Sequence, residues 1–207
     1  MNTDNLEGIT DLIKTTLRKA ISYMEYRDLV RQLAAEEKST GPVQTEALAN
    51  YTQLNDRRMK RWDKVFKLDE DIAQKISKID RRITWLVLTE SWCGDASPAL
   101  PVMHKIAALN PNIELKIVLR DENLLLMDQF LTNGGMSIPK LIQLDTETHE
   151  VLDDWGPRSK AATALVEAHK LEHGEILPQF KEDIQIWYNK DKGQNILKDL
   201  MELLPLE

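Results

Sequence analysis

The feature that most constrains this chain is an apolar run, then a tight turn, then a helical pattern, with the sole cysteine in the turn. Residues Ile83–Thr89 have the length and composition of a buried strand. The turn contains Trp92, Cys93 and Gly94, and residues 96–109 predict a helix. This order places Cys93 at a helix N-terminus, where unpaired backbone N–H groups and the helix dipole favour the thiolate.

The composition limits the class of protein. One cysteine in 207 residues rules out an intramolecular disulfide, and residues 1–10 have neither the basic start nor the apolar run of a secretory signal, so a cytoplasmic location is predicted. No uncharged apolar stretch approaches the roughly 18 residues of a membrane span, and none is predicted. The net charge of -7 disfavours nucleic acid as a partner, because its phosphate backbone is also negative.

Two clusters of charged or metal-binding residue types have simple structural interpretations. Four basic residues lie close together in a helical pattern, and we interpret them as a solvated helix face rather than as a binding patch: Arg57, Arg58, Lys60 and Arg61. The histidines form no metal-binding pattern with Cys93, and the pair His169 and His173 lacks a third ligand. Surface histidines are therefore favoured, and no metal is expected.

The apolar pattern divides the chain into three parts. Residues 1–81 predict a helical N-terminal extension, residues 82–158 alternate strands with helices, and residues 159–207 predict a helical C-terminal extension packed on this core. The predicted strands are Ile83–Thr89, Ile113–Leu119, 140–144 and Val151–Trp155. The predicted helices follow a continuous pattern over 12–33 and then cover 43–66, 69–78, 96–109, 124–131, 159–172, 178–188 and Gln194–Leu203. The apolar stripe of the helix over 43–66 is Leu48, Tyr51, Leu54, Met59, Trp62 and Phe66.

Several landmarks within residues 82–158 resemble the thioredoxin family. Trp92-Cys93-Gly94 matches the start of the family's Trp-Cys-Gly-Pro-Cys motif, and Pro101 falls where thioredoxins place a proline that kinks the active-site helix. The resemblance implies an α/β thioredoxin fold, with a central mixed sheet flanked by helices. The chain resembles a cytosolic bacterial subfamily that carries Trp-Cys-Gly-Asp-Ala.

A second landmark lies farther along the chain. Residues 137–142, Ser-Ile-Pro-Lys-Leu-Ile, resemble the family's Ile-Pro-Thr-Leu segment, whose proline is cis and faces the active-site cysteine. The resemblance therefore implies that the Ile138-Pro139 bond is cis and lies opposite Cys93. A cis proline there leaves backbone groups free to pair with an extended substrate beside the sulfur.

The chain departs from the family at two positions that carry dithiol chemistry. The family's second cysteine, which resolves the mixed disulfide, is replaced by Ala96. The family's buried aspartate, credited with proton transfer to that second cysteine, corresponds to Val87. Dithiol exchange is therefore excluded, and a mixed disulfide on Cys93 would need an external thiol to resolve it.

Three charged residues near the turn have alternative interpretations. The Asp95 carboxylate opposes ionisation of the thiol while the helix terminus promotes it, and the two effects are of similar size. Asp95 could equally cap the following helix by accepting backbone N–H bonds near Ser97. Glu90 and Arg120 end neighbouring predicted strands, where an exposed salt bridge is favoured over a catalytic pair.

The residues predicted to form the site come from three segments. Cys93 is the candidate catalytic residue, and the candidate substrate-binding residues are Trp92, Gly94, Asp95, Ile138, Pro139 and Trp155. Trp155 precedes a glycine that matches one lining the thioredoxin groove, so it could form a wall of the groove. An ordinary core tryptophan is the equal alternative.

Three functional hypotheses follow. In the first, Cys93 exchanges with protein or small-molecule disulfides, and glutathione or an equivalent low-molecular-weight thiol serves as co-substrate without a bound cofactor. In the second, the thioredoxin groove binds a peptide or protein without redox turnover. The third, shared iron–sulfur ligation, is disfavoured because Cys-Gly-Asp-Ala departs from the glutaredoxin Cys-Gly-Phe-Ser pattern.

Overall fold

The computed structural model describes the backbone of residues 3–206 and the side chains from residue 8 onward. Within this range the chain forms a four-stranded sheet and a set of helices on both of its faces. The strands are β1 (Ile83–Thr89), β2 (Ile113–Leu119), β3 (Lys140–Asp145) and β4 (Val151–Trp155). The helices are α1 (Thr3–Leu17), α2 (Tyr23–Ala35), α3 (Glu46–Val65), α4 (Glu70–Ser77), α5 (Ala96–Ala107), α6 (Leu124–Met127), α7 (Lys160–His173), α8 (Pro178–Asp191) and α9 (Gln194–Leu203), with a short 3-10 helix over Arg120–Glu122.

The sheet is mixed and has the strand order β2-β1-β3-β4. Strand β1 pairs in parallel with β2 through the crossover helix α5, and in antiparallel with β3, which forms a hairpin with β4. All seven residues of β1 are buried, because helices cover both faces of this central strand. The predicted central mixed sheet flanked by helices is therefore confirmed.

The predicted continuous pattern over residues 12–33 is wrong in one respect, because it contains a break. Helix α1 ends at Leu17 and α2 begins at Tyr23. Between them Ile21 pairs with Ile117 at the outer edge of β2, with backbone N···O distances of 2.9 and 2.8 Å. The start of α2 has a sequence signal that the periodicity hides: Ser22 and Glu25 form a capping box.

Helix α3 buries Met59 and Trp62 of the predicted stripe, but the first half of the stripe is not buried. Tyr51 and Leu54 are each 37% exposed. The buried positions of this helix are Ala49, Thr52, Asn55, Met59 and Trp62. Two polar side chains therefore occupy the face that the apolar pattern assigned to tyrosine and leucine, and the reason lies in the turn that contains Cys93.

The remaining helices follow the predicted positions, with α6 and α8 differing most in length; α8 ends at Asp191 rather than at residue 188. Helix α6 ends at Met127 rather than at residue 131. Gly174 ends α7 in the left-handed conformation that favours glycine. Among the described residues, none of the helices is both long enough and apolar enough to cross a membrane.

Candidate functional site

The Cys93 thiol lies in the turn between β1 and α5, against the segment that contains Pro139. The Cys93 backbone N–H donates to the Glu90 carbonyl at 3.1 Å, which closes the turn three residues before α5 begins. The Ile138-Pro139 peptide bond is cis, and Cys93 Sγ donates to the Ile138 carbonyl oxygen at 3.2 Å. The structure thus brings the cysteine and the proline segment into direct contact, and only 7% of Cys93 is exposed.

The surroundings of Cys93 favour the neutral thiol. Burial raises the pKa of Cys93 from its ordinary value of 9.0 to about 12, and the Asp95 carboxylate adds to this increase. Hydrogen bonds from the backbone N–H groups of Ala96 and Asp95, and the Arg158 guanidinium, act in the opposite direction. The cost of removing a charged sulfur from water therefore outweighs the groups that would stabilise the thiolate.

Asp95 does not cap helix α5, so this expectation is wrong: its side chain makes no capping hydrogen bond. One carboxylate oxygen instead pairs with Arg158 Nη2 at 2.6 Å, and the other accepts a hydrogen bond from the Tyr188 hydroxyl at 3.0 Å. Burial raises the pKa of the Asp95 carboxyl, while Arg158 and Tyr188 lower it. Asp95 therefore joins the cysteine turn to the C-terminal helices.

Gly94 makes a second link between the cysteine turn and helix α8. Its carbonyl oxygen accepts hydrogen bonds from Gln185 Nε2 at 3.2 Å and from Ser97 Oγ at 2.8 Å. A Cβ on Gly94 would lie 3.8 Å from Arg58 Nη1 of helix α3. Helices from both ends of the chain thus flank this glycine.

The N-terminal helices hold the cysteine turn through Ser91, two residues before Cys93. The Ser91 hydroxyl accepts from the Thr40 backbone N–H at 2.9 Å and lies 2.8 Å from Thr52 Oγ1. The Ser91 carbonyl accepts from Asn55 Nδ2 at 2.9 Å. These buried hydrogen bonds explain why α3 buries Thr52 and Asn55, and no apolar pattern in the sequence identifies them.

Trp92 immediately precedes Cys93 in the turn and contacts Arg120. The Arg120 guanidinium carbon lies 5.0 Å from the centre of the indole ring, a cation–π geometry. Arg120 pairs with Asp121 at 2.7 Å, so the expected salt bridge with Glu90 is wrong. Glu90 is fully buried, accepts from the Asp121 backbone N–H at 2.9 Å, and has its pKa raised by burial.

Trp155 is a buried residue and not an exposed wall of the groove. It is 8% exposed, and its indole Nε1 donates to Asp199 Oδ2 at 3.3 Å. The next residue, Gly156, has a φ of +121°, and a Cβ there would lie 2.1 Å from the Pro139 carbonyl oxygen. Only glycine permits this close approach, so the strand end at β4 fixes the position of the Pro139 backbone.

Of the predicted site residues, five meet at one point and two lie apart. Cys93, Gly94, Asp95, Ile138 and Pro139 are connected through the contacts given above. Trp92 is half-buried beside Arg120, and Trp155 is in the core. No motif or spacing in the sequence identifies Arg158, Gln185 and Tyr188, which contact the turn from 63 to 93 residues away in the chain.

The histidine pair considered above, His169 and His173, lies in helix α7. His169 stacks on Phe180 with ring centres 4.0 Å apart, and its ring centre lies 4.4 Å from that of His173. Within the part of the chain that the structure describes, no group of three or more His, Cys, Asp or Glu side chains could hold a metal ion.

Comparison with known proteins agrees with this geometry. A family model described as thioredoxin matches residues 41–171, which is more than half of the chain, and the chain belongs to the thioredoxin family. The match extends beyond the residues 82–158 that carry the motifs and includes α3 and most of α7. The predicted thioredoxin fold is therefore confirmed.

Two solved structures are similar to this chain at low sequence identity. The crystal structure of an HIV epitope-scaffold superposes with a TM-score of 0.55 at 20% identity, over 88% of this chain and 97% of that chain. A protein of unknown function from Pseudomonas aeruginosa gives a TM-score of 0.48 at 24% identity, over 79% of this chain and 95% of that chain. No curated protein matches the sequence.

Proposed function

We propose that this chain is a monothiol thiol–disulfide exchange protein in which Cys93 is the attacking sulfur. The observation that carries the proposal is the position of Cys93 Sγ, which is 3.2 Å from the carbonyl oxygen of the cis Ile138-Pro139 bond. A substrate in extended conformation that pairs with this backbone segment would bring its disulfide to the sulfur. Ala96 leaves no internal thiol to displace it.

The reaction needs one external thiol for each turnover. The Cys93 thiolate attacks a disulfide R–S–S–R, forming Cys93–S–S–R and releasing R–S⁻, which takes up the proton that Cys93 lost. A second thiol R′–SH then attacks the mixed disulfide as its thiolate, forming R–S–S–R′ and returning Cys93 to the thiol. Glutathione or an equivalent low-molecular-weight thiol is the proposed co-substrate, and a cytoplasmic location would supply it.

The neutral state of Cys93 sets the rate of this exchange. Because burial raises the pKa of Cys93 well above neutral pH, only a small fraction of the protein carries the thiolate at pH 7. Exchange by the resting protein is therefore slow at neutral pH and rises steeply with pH. A substrate or a movement that exposes the sulfur to water would remove the largest cause of the raised pKa.

The burial of Cys93 favours a second candidate, a peptide-binding or protein-binding module without redox turnover. A thiol that is 7% exposed and donates to the Ile138 carbonyl oxygen resembles a structural side chain that holds the proline segment in place. In this case the thioredoxin groove would bind its partner through the backbone of the proline segment, and the sulfur would not react.

Formation of a mixed disulfide separates the two candidates. The folded protein would be incubated with glutathione disulfide at pH 8, and the intact mass would be measured over time. The exchange function predicts a single glutathione adduct that reduced glutathione removes, and Cys93→Ser, as the matched control, predicts none. A folded protein that gains no adduct, while the urea-unfolded protein gains one, supports the binding module instead.

A further inference from the structure

The basic residues of helix α3 differ in their exposure and in their contacts. Arg57 and Lys60 are exposed, and Arg61 donates to Asn189 of helix α8. Arg58 is half-buried, donates from Nη1 to Asn55 Oδ1 at 3.1 Å, and points towards Gly94. The sequence interpretation of these residues as a solvated helix face therefore does not describe Arg58.

Arg58 lacks a carboxylate partner at the mouth of the site. Among the described side chains, none of the carboxylates lies within 4.0 Å of it, whereas the other two arginines near the turn are paired. Burial lowers the pKa of Arg58, which indicates that nearby negative charge only partly offsets the loss of water. A half-buried guanidinium of this kind has hydrogen-bond donors available for an anion.

The two paired arginines extend this positive region on either side of the sulfur. Arg158 neutralises Asp95 and keeps a buried Nε without a hydrogen-bond partner. Arg120 neutralises Asp121 and covers the Trp92 ring. Arg58 therefore differs from these two arginines in having no paired carboxylate, although the whole chain has a net charge of -7.

We propose that the Cys93 site is selective for disulfides and thiols that carry carboxylates, and that Arg58 binds one of these carboxylates. The proposal rests on the exchange function proposed above and names its substrate class. Guanidinium groups bind carboxylates with two parallel hydrogen bonds, and a carboxylate beside the disulfide would orient the substrate over Gly94 towards the sulfur. Arg58 takes no part in bond making and acts only as a binding residue.

Three small disulfides of different charge test the proposal. The rate of mixed-disulfide formation on the full chain would be measured with glutathione disulfide, which is anionic, with bis(2-hydroxyethyl) disulfide, which is neutral, and with cystamine, which is cationic. Each rate would be divided by the rate of the same disulfide with a free model thiol. The expected order is anionic, neutral, cationic, with a ratio between the extremes that falls as salt is added.

Variants on helix α3 locate the selectivity. Arg58→Gln is expected to lower the ratio of the glutathione disulfide rate to the cystamine rate by about fivefold, the effect of one partly exposed charge pair. Arg58→Lys keeps the charge and should keep most of the ratio. Arg57→Gln removes the same charge from an exposed position and should leave the ratio unchanged. The ratio is independent of the thiolate fraction, so a change in the pKa of Cys93 does not affect it.

The outcomes separate this proposal from the function on which it rests. Equal normalised rates with all three disulfides, a faster rate with cystamine, or a ratio that Arg58→Gln leaves unchanged would overturn the proposed selectivity and leave the exchange function standing. A folded protein that reacts with none of the disulfides overturns the exchange function, and the proposed selectivity with it.

Discussion

Helices α3 and α8 flank the same cysteine turn, yet they hold it in different ways. Helix α3 buries five of its residues and makes buried hydrogen bonds to Ser91 through Thr52 and Asn55. Helix α8, with 14 residues against the 20 of α3, buries only Ile184 and Tyr188. Its links to the turn are the bonds from Gln185 to the Gly94 carbonyl and from Tyr188 to Asp95, both partly exposed.

This difference indicates which side of the site opens at a lower cost in free energy. Separating α3 from the turn would leave buried polar groups of Ser91 without partners, which is expensive in free energy. Separating α8 exposes the buried Ile184 and Tyr188 and the partly buried Phe180 and Trp187, and gives the Asp95 carboxylate access to water. Local opening occurs where few apolar contacts are lost, so access to Cys93 is expected from the α8 side.

The largest expected effect concerns the burial of Cys93 and the pH dependence of its reactivity. Alkylation of Cys93 by iodoacetamide should rise about tenfold for each pH unit from 7 to 10, because the thiolate is the reactive form and its fraction increases by this factor below a pKa of about 12. The chain unfolded in urea is the control, and its rate should level off near the ordinary pKa of 9.0. A plateau below pH 9 in the folded protein would show that α8 does not shield the sulfur.

The next effect tests the side of the turn that α3 holds. Asn55→Leu should lower the free energy of unfolding by about 2 kcal/mol, because the buried Ser91 carbonyl loses its partner. Urea denaturation measures the loss. Asn50→Leu makes the same change at an exposed position of α3 and should stay within about 0.5 kcal/mol of the parent. Equal stability of the two variants would remove the distinction between the two helices.

A smaller effect tests the charge on the α8 side. Asp95→Asn should speed alkylation of Cys93 by about tenfold at pH 8, because it removes a negative charge beside the sulfur and frees Arg158 to stabilise the thiolate. Glu182→Gln removes a negative charge from an exposed position of α8 and should have no effect. An unchanged rate in Asp95→Asn would mean that burial alone determines the pKa of Cys93.

The smallest effect concerns the hydrogen bond from α8 to Asp95. Tyr188→Phe should lower the free energy of unfolding by about 1 kcal/mol, since one partly exposed hydrogen bond is lost and the ring remains. Tyr51→Phe removes a hydroxyl from the exposed face of α3 as the control. If Tyr188→Phe destabilises the protein more than Asn55→Leu does, the assignment of fixed and opening sides is reversed.

The strands were predictable from sequence, whereas the contacts between helices and the turn were not. Strands β1, β2 and β4 have the predicted bounds, because short apolar runs between polar turns determine them locally. The first half of the buried face of α3 was misassigned, because Thr52 and Asn55 are buried for their hydrogen bonds and not for their hydrophobicity. Arg158 and Tyr188 meet Asp95 only in the folded chain, and no spacing rule connects them.

The turn that contains Cys93 depends on residues that the family match leaves out. Thr40 lies immediately before residues 41–171, and Gln185 and Tyr188 lie beyond them. A fragment cut at those limits would keep every strand of the sheet while losing one anchor of the loop and both ties to α8. Transplanting the Trp-Cys-Gly-Asp-Ala loop into another member of the family would therefore transfer the sequence of the motif without the contacts that surround Cys93 here.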